Sequence, residues 1–277
     1  MTFKRLLLAL LLAPVTLMAA ERNDVPSCYT QARIDEFRSA PSGRMLTVVV
    51  DQTTPLTTDL QRTAWNHIKR FMKPGDKIRL YSFSAYLEGH YTRLRYAGEL
   101  EQPIDPKRLG NVPMMSTRKF DGCLKGQQAA MFQAFGKAFA SVMGKSSSDI
   151  PRSEILFSLK AIGEDTAKAE GVNEHVVLLV SDMLEYSDFG SFYTAGGIRQ
   201  IDPAVEISKV EKQKLLANFS GARVYVHGAA FVPTTAKNGY RSGKMIQNLE
   251  SFWRTYFEQS NATLNGFGNP ELTIAVE

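Results

Sequence analysis

Much of what would place this chain in a familiar class is missing. After residue 20 there is no apolar run near the about 20 residues that a helix needs to cross a bilayer, so nothing beyond that point reads as a membrane span. Charge of one sign is also lacking. Taking Lys4 and Arg5 from the 33 basic residues leaves 31 against 28 acidic ones, too mild an excess to argue for nucleic acid, and no nucleic-acid partner is expected. The four histidines, His67, His90, His175 and His227, stand apart without the spacing of a zinc site. A nucleophile elbow, Gly-x-Ser-x-Gly, is absent, which removes the common serine hydrolases. There is no internal repeat, and 44% hydrophobic content over 277 residues suits a folded α/β core rather than a disordered or fibrous chain. Cysteine is nearly absent, with only Cys28 and Cys123.

The start of the chain gives those two cysteines a context. Lys4 and Arg5 form a charged head, residues 6–12 an apolar stretch, and Met18, Ala19 and Ala20 a small-residue cleavage site, so residues 1–20 are predicted to be a bacterial export signal cut after Ala19 or Ala20. An uncleaved anchor is the alternative, although the apolar stretch is short for a span. Periplasmic or secreted localisation follows, and an exported chain with two cysteines predicts a Cys28–Cys123 bridge. Such a bridge would close a long loop, worth about 3 to 5 kcal/mol on the chain-entropy account. Two unpaired thiols stay open as the other reading, because sequence alone cannot bring two Cα atoms within reach. Residues 21–43 are a polar N-terminal extension with a short helix expected at 31–38.

The main domain is expected over residues 44–277 and is organised around residues 44–83. A buried run, Leu46 to Val50, ends on one carboxylate, Asp51, followed at once by Thr53 and Thr54. That is a strand delivering an acid to its own C-terminal tip. Leu56, Leu60, Ala64, Ile68 and Phe71 then recur at spacings of four and three, the apolar stripe of a helix lying on a sheet. Pro74 and Gly75 stop it, and the β-branched and aromatic residues 76–83 form a second strand.

Residues 89–99 alternate with one wet face and follow too closely for a parallel crossover, so they should pair antiparallel at a sheet edge. Residues 101–123, with three prolines and two glycines, are expected to be an irregular insertion. Met131, Phe132, Phe135, Phe139 and Val142 mark a core-facing helix over 124–143, and Ser153 precedes another carrying Ile155, Leu159 and Ile162. Residues 175–182 form a second buried run with an acid, Asp182, at its tip. An inserted loop at 187–201, rich in glycine and aromatics, starts just beyond it. A helix over 203–219, a strand over 222–231 with a basic continuation to 244, a last helix through Met245, Leu249, Phe252 and Tyr256, and a closing strand at Leu272, Ile274 and Val276 complete the expectation. Strands alternating with helices imply a three-layer, doubly wound, mainly parallel α/β sheet with one antiparallel edge strand.

In such a sheet, groups at the C-terminal ends of adjacent central strands converge at the switch point. Asp51 and Asp182 are the acids so placed, with Thr53 and Ser153 on loops entering the same rim. Here the chain resembles the von Willebrand factor A domains, whose adhesion site uses D-x-S-x-S after the first strand, a loop Thr before a middle helix and an Asp after the fourth strand. Asp51 matches the first acid, Thr53 the first hydroxyl, Ser153 the loop Thr and Asp182 the last acid, and Pro74-Gly75-Asp76 matches a turn of that family. The resemblance implies a Mg²⁺ site on Asp51, Thr53, Ser153 and Asp182, and a non-catalytic module that binds a protein ligand or membrane-associated complex at that rim. Pro55 stands where the second serine should be and has no ligating oxygen, so the site should be weak or vestigial. In the plainer reading the same residues cap a helix and bond loop backbone.

Phe189, Phe192 and Tyr193 are the expected partner contacts, the alternative being that they fold back onto the core. A metal-dependent, haloacid-dehalogenase-like phosphatase would also place an Asp after its first strand, but Thr53 replaces its general acid and no second carboxylate pair follows Asp182. A periplasmic assembly component whose acid cluster is structural is the third reading.

Overall fold

A computed structural model describes residues 22–84, 92–150, 152–194, 197–232 and 242–277. The expected export signal, His90 and most of the basic continuation after residue 232 lie outside them. In chain order the elements are α1 (Cys28–Ala32), a 3-10 turn (Asp35–Phe37), β1 (Arg44–Asp51), α2 (Thr58–Phe71), β2 (Lys77–Phe83), β3 (Arg93–Glu99), α3 (Pro106–Leu109), α4 (Met114–Met143), α5 (Ile155–Thr166) and β4 (Glu174–Val180). Four two-residue strands follow, β5 (Tyr186–Ser187), β6 (Gly190–Ser191), β7 (Tyr193–Thr194) and β8 (Gly197–Ile198), then α6 (Pro203–Lys212), β9 (Ala222–His227), α7 (Gly243–Gln259) and β10 (Ala262–Gly268).

The main sheet has six strands in the order β10-β9-β4-β1-β2-β3. Every neighbouring pair is parallel except β2 and β3, which are antiparallel at the edge. The central strands are apolar on both sides because both sides are covered, as parallel sheets require. Leu46, Val48, Val50, Leu80 and Leu178 on one face meet Ala64, Ile68, Phe71, Met131, Phe135 and Phe139 from α2 and α4. On the other face Val49, Phe83, Val177, Leu179 and Val226 meet Leu156, Leu159, Ile162, Phe252 and Trp253 from α5 and α7. This is the three-layer α/β arrangement expected from the sequence. Two strand margins remain. Along β3 the segment after Arg22 takes up backbone groups, with Asp24 N–H donating to Ala97 O and Asn23 accepting from Glu99 N–H. Along β10 the register slips between Leu264 and Gly266, and the Arg254 guanidinium donates to Leu264 O.

The Cys28–Cys123 disulfide is present and ties α1 to α4 across 95 residues. Beside it the buried carboxylate of Glu101 accepts from Cys28 N–H, Ser27 Oγ–H, Gln127 Nε2–H and Arg38, so one acid holds three segments together. Phe120 and Tyr29 pack at a tilt in the same lobe, their ring centroids 4.5 Å apart.

Several expectations are corrected. Residues 101–123 are not an irregular insertion: Asp105 caps α3, and α4 begins directly after Pro113 and runs for 30 residues. Of the two glycines that suggested a loop, Gly110 ends α3 and Gly122 lies within α4, and at both an added Cβ would meet nothing within 4 Å. The short helix expected at 31–38 is instead α1, which starts at Ser27's cap and ends at Arg33 in the left-handed region, followed by the 3-10 turn. α6 stops at Lys212 rather than near 219, with Lys214 at positive φ. The closing strand is β10, not residues 272–276. Leu272 and Val276 alternate because they pack into the α2-side core after the chain has reversed at Gly268, whose Cβ position lies 2.3 Å from Leu272 N.

Candidate functional site

β1 lies between β2 and β4, and the chain leaves β1 toward β2 but later returns to place β4 on the opposite side. The switch point is therefore the gap between the ends of β1 and β4, where Val50 pairs with Val180 and Asp51 and Ser181 come next. The sequence dictates what sits there, since each buried run ends on a polar residue that cannot continue into the core.

Asp51 is 1% exposed and all its hydrogen bonds are internal. Its Oδ1 accepts from Thr53 N–H at 2.9 Å and Thr53 Oγ–H at 2.6 Å. Its Oδ2 accepts from Ser153 Oγ–H at 3.0 Å and Ser181 Oγ–H at 2.8 Å. One carboxylate thus gathers the loop after β1, the loop before α5 and the loop after β4. Asp182, also buried, accepts from Leu184 N–H at 2.9 Å on Oδ1 and from Tyr193 O–H at 2.5 Å on Oδ2. Burial raises both carboxyls above the usual carboxylate range, and the Asp51 charge raises Asp182 further. Tyr193 is raised in turn by burial and by the Asp182 charge, so its phenol stays a donor.

The loops over this pair are pinned from behind. Ser153 and Tyr186 exchange two backbone hydrogen bonds, each 2.9 Å, and Trp253 Nε1–H donates to Met183 O at 2.9 Å. Glu185 accepts from Leu156 N–H and thereby caps the start of α5. In front lies a cleft of about 660 Å³ lined among others by Thr53, Thr54, Ser153, Asp182, Tyr193 and Phe231. Its volume lies within the range of small-ligand or side-chain pockets.

All four residues expected to hold a cation, Asp51, Thr53, Ser153 and Asp182, come together at this rim, with Asp51 behind the other three. Among the described residues no three acidic, histidine or cysteine side chains converge, so a cation here would depend on two carboxylates and hydroxyls. The donors suit a hard cation. All are oxygens, neither acid has an ion pair among the described residues, and Thr54 Oγ1 is buried beside the Asp182 carboxylate without a hydrogen bond of good geometry. Pro55 lines the same cleft and supplies no side-chain oxygen. Sequence reasoning missed Ser181 and the bond from Tyr193 to Asp182. Ser181 was visible as the residue beside Asp182, whereas Tyr193 reaches its acid only through the two hairpins β5–β6 and β7–β8.

The expected partner contacts are corrected in part. Phe192 is fully buried against Phe252, ring centroids 5.1 Å apart, and Phe189 packs in the same core, so neither faces a partner. A glycine-rich loop with two large aromatics gains more by burying them than by displaying them. Tyr193 alone of the three lines the cleft.

No family model and no curated protein matches the chain. Among solved structures, an aerotolerance-related membrane protein from Bacteroides fragilis is similar over 81% of this chain and 92% of its own, at 12% identity and a TM-score of 0.35. The pilus adhesin SpaC from Lactobacillus rhamnosus GG is similar over 77% of this chain and 27% of its own, at 12% identity and a TM-score of 0.34. The N-terminal domain of TFIIH p34 is similar over 76% of this chain and 96% of its own, at 11% identity and a TM-score of 0.24.

Proposed function

We propose that this chain is an exported, non-catalytic protein-binding module of the von Willebrand factor A type. Its ligand-binding face is the rim at the switch point. The observation that carries the reading is the convergence of three loops on Asp51, which builds a rigid floor beneath an open cleft whose wall includes Asp182. A protein ligand would enter that cleft with a short loop or side chain. Export is supported by the disulfide and by the leader-like first twenty residues.

Thr53, Ser153 and Asp182 would hold a Mg²⁺ ion, with Thr54 as a further hydroxyl and Asp51 orienting Thr53 and Ser153 from behind. When bound, the ion would supply one Lewis-acidic position for an anionic group of the ligand. Its affinity is reduced by Pro55 and by the hydrogen bonds that already occupy Thr53, Ser153 and Asp182. A phosphatase role is disfavoured by Asp51 itself. A nucleophilic carboxylate must present a free oxygen to phosphorus, but both Asp51 oxygens are buried and each accepts two hydrogen bonds.

Calorimetric titration of Mg²⁺ and Mn²⁺ into the wild type and Asp182→Ala tests the cation. Heat in the wild type that disappears in the variant is expected, and no heat in either would leave the acid pair as a structural feature. Turnover of a generic phosphate ester with Mg²⁺, abolished by Asp51→Asn, would overturn the non-catalytic reading.

A further inference from the structure

We propose that the projecting tip made by α3 and the first turns of α4 docks on an anionic phospholipid surface. The inference is independent of the switch-point cleft. Large apolar side chains are displayed there rather than buried: Leu109 is 44% exposed, Met114 66% and Met115 73%. Tight turns link them, since Val112 N–H donates to Leu109 O and α4 starts two residues later. At about 100° per residue, Met114, Met115, Arg118 and Lys125 fall on the side of α4 opposite Phe120, Gln127 and Met131, which face the protein. Lys107, Arg118, Lys119 and Lys125 form no ion pair among the described residues. The acids nearby are Asp105, whose carboxylate caps α3 by accepting from Lys107 N–H, Asp121, and Glu36, whose backbone carbonyl accepts from Arg108. Cations therefore outnumber acids around an apolar point.

Exposure and charge select the occupant. An added Cβ at Gly110, Gly122 or Gly126 would meet nothing within 4 Å, so the backbone between the displayed side chains is open to solvent, and the pocket along α3 is lined by Arg38, Asp105 and Arg108 rather than by these displayed apolar residues. Three exposed apolar side chains are too few to form the core of a stable protein interface, which takes about 800 Å² from each partner. Flexible apolar chains ringed by lysine and arginine match a headgroup layer, where the chains enter the acyl boundary and the cations meet phosphate. At about 1.5 Å per residue α4 is about 45 Å long, and its far end touches Gln52 beside the acid pair. A molecule seated on this tip would turn its cleft away from the bilayer.

The test uses the full chain with Met115→Cys carrying a nitroxide label, the two native cysteines being paired with each other. Phosphatidylglycerol–phosphatidylcholine vesicles are compared with pure phosphatidylcholine vesicles, and the label's collision with oxygen against a water-soluble relaxant reads its depth. This position reports the tip whatever the first twenty residues do. Entry of the label into anionic vesicles only, weakened by salt, is expected. The combined change Lys107→Glu, Arg118→Glu and Lys119→Glu should cut that entry more than about tenfold. A label that stays in water on vesicle-bound protein, or that enters neutral vesicles equally well, overturns the proposal. Immobilisation by a soluble protein but not by vesicles also overturns it and assigns the tip to a protein partner.

Discussion

Glu185 and His227 are buried titratable groups that pull stability in opposite directions with pH. Burial pushes Glu185 up to about 8, and its Oε1 has no hydrogen bond of good geometry. Unfolding returns it to about 4.5, so between those values the folded chain keeps a proton that the unfolded chain loses. Stability contributed by the neutral acid is therefore complete below pH 4.5 and falls as pH rises through 8, by up to about 5 kcal/mol. His227 is held neutral: Leu272 N–H donates to Nδ1, which makes Nε2–H the donor to Leu60 O, and burial pushes the ring down to about 4. The unfolded chain binds that proton first, so stability rises with pH from about 4 to 6.5. Glu185→Gln keeps an acceptor for Leu156 N–H and removes the ionisation. Its melting temperature should match the wild type near pH 4.5 and exceed it increasingly toward pH 8, in thermal melts across that range. An equal difference at all pH values would mean that Glu185 is not held protonated.

α4 shows most plainly what the sequence conveyed and what it concealed. Its second half was legible because Met131, Phe135 and Phe139 repeat every four residues against the sheet. Its first half was not, since prolines and glycines there suggested a loop, and its support comes from α1 and the disulfide, which are distant in sequence. Reduction should therefore act locally. On the chain-entropy account the bridge is worth about 4 to 5 kcal/mol. Hydrogen exchange after reduction should speed up in residues 22–38 and 114–126 while β1 and β4 stay protected. Uniform exchange across the chain would show that the lobe and sheet are one cooperative unit. β10 was hidden for a different reason: Ala262, Asn265 and its two glycines are weak strand formers, and it exists because β9 offers it a partner. At the rim, Asp51 and Asp182 were legible as polar ends of apolar runs. Tyr193's bond to Asp182 was not, because it depends on hairpins that no local pattern specified.

At the scale of the whole molecule, the order of strands is what turns two buried runs into one site. β1 and β4 could each have formed with any neighbour, and only their adjacency lets Ser181 and Ser153 share one Asp51 oxygen. The same sheet has two outer strands that could recruit a stranger, and each is closed by its own device. Residues 23 and 24 satisfy backbone groups of β3, while a bulge and the Arg254 cap spoil the straightness of β10. Deleting residues 22–25 should uncover β3 without touching the rim, and time-dependent light scattering with thioflavin fluorescence should rise over the intact chain. Unchanged solubility would mean that β3 is guarded by something else. What the short lead-in to the first helix supplies, then, is a fixed cover over backbone groups of β3 that would otherwise be free to zip onto the exposed strand of a second copy.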